Sequence, residues 1–281
     1  VSMSRGAGNL DRFLERYRCA LEAFSSWGVR IPPDCRLKRY ESRWARYLDG
    51  TEGPIEMAIE DSMAMSFDLR EVDELITIAE SFDRAPDPTE LERLRRLPGG
   101  SERPEDESTS RARDAQYELY LRALLVQIDP YTVMSSPDLW LRTRRWNVEA
   151  KRPTTDKAVD TRLRKAIKQI EQSKKDGFVA LSLDDVIRPR GGLLLTPTRA
   201  ALPQLADDAL TRFQQRELRT FFQRLREKHH VLGVILTFRV AAQALDTGMF
   251  LVHLQSTVLP ASPCGAEAST DLLGELARIK S

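Results

Sequence analysis

The stretch SPDLWLRTRRWNVEAKRP, residues 136–153, decides how the fold of this sequence is interpreted. Apolar and polar residues alternate along both halves of the stretch, which is typical of two β-strands. Asp138, Glu149 and Lys151 nevertheless stand among apolar neighbours. Charged groups that leave water destabilise a fold unless they are paired or bound to a metal ion. The stretch therefore predicts a β-hairpin whose charged side chains form a site for a divalent cation.

The spacing within this stretch also predicts how the two strands pair. A hairpin that turns at residues 143–144 places Asp138 directly opposite Glu149, and a four-residue loop gives the same register. Side chains alternate along a strand, so we expect Lys151 on the face of Glu149 and Val148 on the other face, in the core. Two opposed carboxylates repel each other, and Mg²⁺, which prefers carboxylate oxygens and water, would remove that repulsion.

The composition is that of an ordinary globular protein. The chain has 281 residues, of which 41% are hydrophobic and 30% charged, enough for one large or two smaller domains. With 43 basic and 42 acidic side chains, binding to nucleic acid or membranes must come from local patches. The absence of a membrane-spanning apolar run and of a signal peptide, together with three scattered cysteines, predicts a cytoplasmic protein without a disulfide framework or zinc site.

Changes in pattern along the chain predict two domains and a linker. Residues 1–98 show the helical period and predict an N-terminal helical domain, whose first helix would have Asn9 as its N-cap and end at Gly28. Residues 99–110 are polar and rich in Gly and Pro, which indicates a linker or mobile loop. Residues 111–281 form the second predicted domain, of mixed α/β (α+β) class.

Within the second domain the predicted order is helix, three strands, helix and strand, written αβββαβ. The long helix of this core would start near residue 156 and end at Gly177, and a buried strand would follow at 178–183. A helix at 204–228 and apolar strands at 231–238 and 250–258 predict a C-terminal αββ extension.

Pro137-Asp138 followed by Glu149-Ala150-Lys151 resembles the signature of the PD-(D/E)XK nuclease superfamily, which has the restriction-endonuclease-like fold. The resemblance covers about residues 111–183, where the predicted αβββαβ order is that of the family core. It implies that Asp138, Glu149 and the Ala150 carbonyl bind Mg²⁺, with Mn²⁺ as a substitute, and that Lys151 acts on the attacking water. Of the nine lysines, only Lys151 has an acidic residue two positions before it.

The same resemblance implies two further site residues. Members of the family often use a Glu of the preceding helix as a metal ligand, and this chain offers Glu118, which could instead pair with Arg122 one turn later. Some branches use a Gln of the following helix, and Gln169 is the candidate here, with a structural hydrogen-bonding role as the alternative.

Four arginines near the hairpin are candidates for nucleic-acid binding. Arg142, Arg144 and Arg145 crowd the hairpin tip, and Arg152 follows the catalytic Lys151. Phosphate contact suits all four, and a solvated turn explains the first three equally well.

Together these features predict a Mg²⁺-dependent phosphodiesterase that cleaves DNA, in a setting such as restriction or phage defence. The N-terminal helical domain would bind a protein partner, a second copy of the chain or the substrate. The alternative is a non-catalytic nucleic-acid-binding or assembly protein that retains the nuclease fold. A helical interaction protein with a chance motif remains only if the predicted hairpin register is wrong.

Overall fold

The computed structural model describes residues 4–48, 59–101, 110–135, 138–187, 193–261 and 263–279. Most of the predicted linker at 99–110 lies outside these ranges. The described residues form two compact units, each assembled from three segments. The helical unit comprises Val1–Ala112, Arg188–Ala206 and Arg239–His253, and the sheet unit comprises Arg113–Ile187, Asp207–Phe238 and Leu254–Ser281. This division differs from the consecutive domains predicted above, because two segments beyond residue 187 join the N-terminal helices.

Four helices make up most of the helical unit. They are α1 (Ser4–Ser26), α2 (Arg36–Leu48), α3 (Ile59–Glu80) and α4 (Pro88–Leu94). Helix α1 starts before Asn9, so the predicted N-cap is wrong. Its predicted end is confirmed: Gly28 adopts a φ of +81°, which only glycine reaches without strain. The Gly28 and Val29 amides donate to carbonyls of the last helical turn, at Ser25 and Phe24.

Helix α3 buries charged side chains as well as apolar ones. Three of its carboxylates are almost fully buried, and each is paired with an arginine at 2.6–2.9 Å. Removing one member of such a pair leaves an uncompensated buried charge, so the pairs couple distant parts of the chain. The pairs are Arg43 with Asp68, Arg36 with Glu71, and Arg239 with Glu74.

The mixed α/β class and the αβββαβ order of the predicted core are confirmed. The core elements are α5 (Ser110–Leu125), β1 (Val133–Met134), β2 (Leu139–Leu141), β3 (Trp146–Lys151), α6 (Asp156–Ser173) and β4 (Gly177–Ser182). The elements that follow are β5 (Leu194–Thr196), a 3₁₀ turn (Arg199–Ala201), α7 (Leu202–Leu225), β6 (Val231–Ala244), β7 (Phe250–Pro260) and α8 (Pro263–Ile279). Strand β5 and helix α8 were not predicted from the sequence.

The sequence pattern predicted that Gly177 ends helix α6, and this prediction is wrong. The helix ends at Ser173, and Lys174 takes the left-handed conformation that usually falls to glycine. Gly177 instead opens β4, where an added Cβ atom would lie 2.5 Å from the Asn147 carbonyl oxygen. Its lack of a side chain therefore allows β3 and β4 to approach.

The sheet unit is built around a mixed sheet. Strands β1, β2 and β3 are antiparallel neighbours, β4 runs parallel to β3, and β6 runs parallel to β4. Every residue of β4 is buried, as expected for a central strand covered on both faces. In the helical unit, β5 pairs in parallel with the last residues of β6.

Helix α6 covers the face of the sheet that carries Glu149. The Asn147 side chain, on that same face, donates to the Ser173 hydroxyl of α6 at 3.3 Å. Residues 147, 149 and 151 share this face because side chains alternate along β3. The residues that α6 buries are Val159, Leu163, Ala166, Ile167 and Ile170.

The opposite face of the sheet packs against helix α8. Trp146 and Phe178 lie on this face with ring centroids 5.3 Å apart. An added Cβ atom at Gly233 would lie 2.9 Å from the Ser269 hydroxyl of α8 and 3.2 Å from the Phe178 ring. Both faces of β3 are therefore covered. Among the helices that the structure describes, none is both long and apolar enough to cross a bilayer.

Candidate active site

The hairpin register agrees with the prediction from spacing. Leu139 pairs with Val148 and Trp140 with Asn147, as the predicted register requires. The loop has four residues, 142–145, so the two-residue turn is excluded and the longer alternative holds. Val148 is buried in the core as expected.

Side-chain contacts of Asp129 fix the shape of this loop. Asp129 accepts hydrogen bonds from the Thr143 amide at 2.8 Å and from the Thr143 hydroxyl at 3.0 Å. Arg145 closes the loop with a φ of 57°. The loop thus needs neither Gly nor Asn, because a buried carboxylate from outside the hairpin holds it.

Asp138 and Glu149 lie next to each other at the end of the hairpin away from the loop. Asp138 Oδ2 accepts a hydrogen bond from the Ala150 amide at 2.9 Å. The backbone of Asp138 also lowers the pKa of the Glu149 carboxyl. Pro137, the first residue of the motif, lies outside the described residues. The two acids are therefore neighbours, and Asp138 is tied to the backbone of the other strand.

Lys151 places its ammonium group among the groups predicted to bind a metal. Its Nζ atom donates to Glu149 Oε1 in a close contact and to the Ala150 carbonyl oxygen at 3.0 Å. Asp138 Oδ2 is 3.7 Å away. Only 11% of the Lys151 side chain is exposed, so these contacts form largely out of water. These oxygens thus surround the ammonium group of Lys151.

Glu149 lies in an environment that disfavours its charged form. Its side chain is fully buried, and its Oε2 atom has no hydrogen-bond partner among the described residues. Burial and the neighbouring Asp138 raise the pKa of Glu149 to about 7, against the opposing effect of Lys151. A carboxylate with an unpartnered buried oxygen favours either a proton or a further cation.

Asp114 of helix α5, which the sequence analysis did not select, interacts electrostatically with the charged groups of the site. Burial raises its pKa, and the positive charges of Arg162, Lys151 and Arg152 oppose that effect, while Asp138 adds to it. These interactions place Asp114 within electrostatic reach of both Lys151 and Asp138. The sequence signal was its position one turn before Glu118, on the same helical face.

Glu118 and Gln169 are both half-buried. Gln169 has a buried Oε1 atom without a hydrogen-bond partner among the described residues, which leaves it available to a ligand. Glu118 lies one turn beyond Asp114. Within the described ranges, no three His, Cys, Asp or Glu side chains are grouped closely enough to form a metal site by themselves. The arrangement offers two carboxylates and a carbonyl, and Glu118 as a third ligand stays a prediction.

The arginines of the hairpin loop are far from Lys151. Strand β3, from Trp146 to Lys151, lies between them and is about 17 Å long at a rise of 3.3–3.4 Å per residue. Arg144 stacks over the Trp146 ring at 5.3 Å and approaches Asp271 and Glu275 of α8 at 3.8 and 3.6 Å. It therefore anchors the loop to α8, and its contact with phosphate stays a prediction. Arg142 and Arg145 are exposed.

Arg152 is buried, which disagrees with its predicted contact with nucleic acid. Its guanidinium lies 3.5 Å from Asp185 Oδ2, and both side chains are almost fully buried. A phosphate could reach Arg152 only if this pair opened. Its positive charge acts on the site from within the fold, through Asp114.

Comparison with known proteins adds nothing to this geometry. No protein-family description matches the chain, and no curated protein or solved structure is similar to it.

Proposed function

We propose that this protein is a divalent-metal-dependent nuclease that hydrolyses phosphodiester bonds of DNA. The observation that carries the proposal is the position of the Lys151 ammonium, which contacts Glu149 and the Ala150 carbonyl and lies 3.7 Å from Asp138. Two acids, a carbonyl and a lysine meet at one end of a β-hairpin, in the order and spacing of the PD-(D/E)XK signature. This combination supports the restriction-endonuclease-like fold for residues 111–183.

The residues present fit Mg²⁺. Carboxylate and carbonyl oxygens are the ligands this ion prefers, and it usually keeps several waters, so two carboxylates suffice. The unpartnered Oε2 atom of buried Glu149 provides a free ligand atom. Asp138, Glu149 and the Ala150 carbonyl would hold the ion, and Mn²⁺ would substitute for it. The bound ion would activate water and neutralise negative charge that develops on the phosphoryl oxygens.

Lys151 would stabilise negative charge rather than act as a base. Its ammonium contacts the Glu149 carboxylate and lies 3.7 Å from Asp138. A protonated Lys151 can donate a hydrogen bond to a phosphoryl oxygen or to the attacking water. Asp114 would keep Lys151 and Arg162 directed toward the reacting group through its negative charge.

A cleavage assay tests the proposal. Purified protein with Mg²⁺ or Mn²⁺ should cut DNA, EDTA should stop the reaction, and Asp138→Ala, Glu149→Ala and Lys151→Ala should each lose at least about 100-fold in rate. Asp208→Ala and Lys228→Ala, which change exposed charges of the same unit, are the matched controls. Unchanged cleavage in all three site variants would refute the assignment.

One observation favours a second candidate, a nucleic-acid-binding or assembly protein that does not cleave. The described acids do not form a three-residue metal site, and a lysine already compensates the two site carboxylates. Such a protein would bind DNA or RNA equally well in EDTA and in Mg²⁺, and none of the site variants would change a cleavage rate. Neither candidate assigns a pathway, and restriction or phage defence remains part of the proposal.

A further inference from the structure

Helix α6 presents one continuous basic face away from the sheet. Its apolar side packs over the face that carries Glu149, so the opposite side is turned outward. The exposed positions of this outward face recur at helical spacing and contain no acidic residue. They are Lys157, Thr161, Arg164, Lys165, Lys168 and Gln172.

The three acidic residues of α6 contact groups other than the lysines of this face, and one of them, Glu171, accepts a hydrogen bond from the His230 amide at 2.8 Å. Asp156 and Asp160 lie on the flank next to α7, where they pair with Arg216 and Arg224. Asp160 also pairs with Arg164, at 3.2 Å. The three lysines of the outward face form no ion pair with any described residue, so their charges are available to a ligand.

The other flank of α6 leads to the candidate active site. Arg162, half-buried on this flank, is the charge that most strongly opposes the raised pKa of Asp114. Asp114 in turn interacts with Lys151 and Asp138. Arg162 therefore lies between the outward lysines of α6 and the acidic groups near Lys151.

The geometry points to the outward face of α6, defined by Lys157, Lys165 and Lys168, as the surface that binds the phosphodiester backbone of a nucleic acid. This inference rests on the proposed function and names the surface that holds its substrate. Lys157 and Lys168 are about 16 Å apart along the helix, which matches the axial rise of about five nucleotides in one strand of a duplex. The contacts carry no base specificity, because lysine recognises phosphate as a point charge.

Binding measured without catalysis tests the inference. In EDTA, the affinities of the wild type and of Lys157→Gln/Lys165→Gln/Lys168→Gln are measured by fluorescence anisotropy over a salt series. The probes are duplex DNA, single-stranded DNA and RNA of equal length. The triple variant should bind at least tenfold more weakly at about 100 mM salt, and its log–log salt slope should be smaller by about one for each lysine.

A variant of equal charge serves as the control. Arg12→Gln/Arg30→Gln/Arg95→Gln removes three exposed arginines of the helical unit and should keep the wild-type affinity and slope. Equal losses in both triple variants would overturn the inference, since the effect would then follow net charge alone. Wild-type affinity in the lysine variant would also overturn it, as would binding of the wild type to anionic phospholipid vesicles but to none of the nucleic acids.

The two proposals can fail separately. Loss of binding in the lysine variant together with no Mg²⁺-dependent cleavage by the wild type would support the binding surface and reject the nuclease. Cleavage by the wild type with unchanged binding in the lysine variant would support the nuclease and reject this surface.

Discussion

The ammonium nitrogen of Lys151 lies 3.7 Å from Oδ2 of Asp138, across the open end of the hairpin. The same nitrogen contacts Glu149, so one positive charge compensates two carboxylates. This leaves a net negative site in the absence of other ions. A divalent cation bound by these oxygens would compete with Lys151 for them and release its ammonium toward a substrate phosphate.

The raised pKa of Glu149 predicts that the metal-free protein loses stability as the pH rises. The pKa of this carboxyl is about 7 in the folded protein against an ordinary value of 4.5, so the folded protein binds more protons than the unfolded chain between these values. The free energy of unfolding should therefore fall between about pH 4.5 and pH 7 and level off above, by about 3 kcal/mol at most.

Urea unfolding of the wild type and Glu149→Gln at several pH values, in EDTA, measures this effect. The variant cannot ionise at this position, so its stability should vary less over the same window. A parallel pH dependence in both proteins would assign the change to other groups.

Divalent metal should stabilise the protein through Asp138 and Glu149. A ligand that binds only the folded state adds about 2.7 kcal/mol at a concentration about 100 times its Kd. Mn²⁺ should therefore raise the melting temperature of the wild type by several degrees and that of Asp138→Asn by much less. An equal rise in both proteins would place the metal elsewhere, and Asp208→Asn serves as the control for loss of one exposed carboxylate.

Asp114 should matter more to the site than Glu118. Asp114→Asn removes a charge that interacts with Lys151 and Asp138, and we expect cleavage to fall by about tenfold or more. Its raised pKa indicates that ionisation is unfavourable in the fold, so the metal-free variant should be as stable as the wild type or slightly more stable. Glu118→Gln should change cleavage less, and the reverse order of the two variants in a kinetic comparison would contradict this assignment.

Arg144 should contribute to stability and not to nucleic-acid binding. Arg144→Ala removes the stacking on Trp146 and two partly exposed ion pairs to α8, worth about 1 kcal/mol together. Arg142→Ala, at an exposed position of the same loop, should cost little. Urea unfolding compares their stabilities, and anisotropy should show unchanged affinity for DNA in the Arg144 variant; a selective loss of affinity there would restore its predicted role.

Gly177 should not tolerate even alanine. The added methyl group would lie 2.5 Å from the Asn147 carbonyl oxygen, a backbone atom that cannot move without separating β3 from β4. We expect a loss of about 1–3 kcal/mol. Gly274→Ala in α8 is the matched control: nothing lies within 4 Å of its added Cβ atom, and alanine should stabilise the helix by about 0.5–1 kcal/mol. Equal effects of the two substitutions in thermal melts would show that contact with Asn147 is not the cause.

The helices and strands with a regular apolar pattern could be predicted from the sequence. The hairpin register could be predicted as well, because its apolar residues must face the core. This local argument brought Asp138, Glu149 and Lys151 together correctly. It did not indicate Asp114, because Asp114 and Glu118 lie on one helical face and the interaction of Asp114 with Lys151 depends on how α5 packs. The pairing of Arg144 with α8 depends on contacts more than 120 residues apart and leaves no local signal.

Strand β5 and the two-unit division were missed for a related reason. Leu194–Thr196 is too short to show a period, and it pairs with Ala242–Ala244, almost 50 residues later. The polar segment at 99–110 marks a boundary by its composition. Later in the sequence, the chain passes from one unit to the other inside α7, β6 and β7, where the helix or strand pattern continues without a break.

The buried ion pair of Arg239 with Glu74 limits how early the chain can fold during its synthesis on the ribosome. The Glu74 carboxylate is fully buried in the folded protein, and its partner lies 165 residues further along the chain. Until Arg239 leaves the exit tunnel, the nascent N-terminal helices lack this buried partner of Glu74. We therefore expect the helical unit to complete its folding only late in translation, and truncation near residue 110 should yield fragments that do not fold cooperatively.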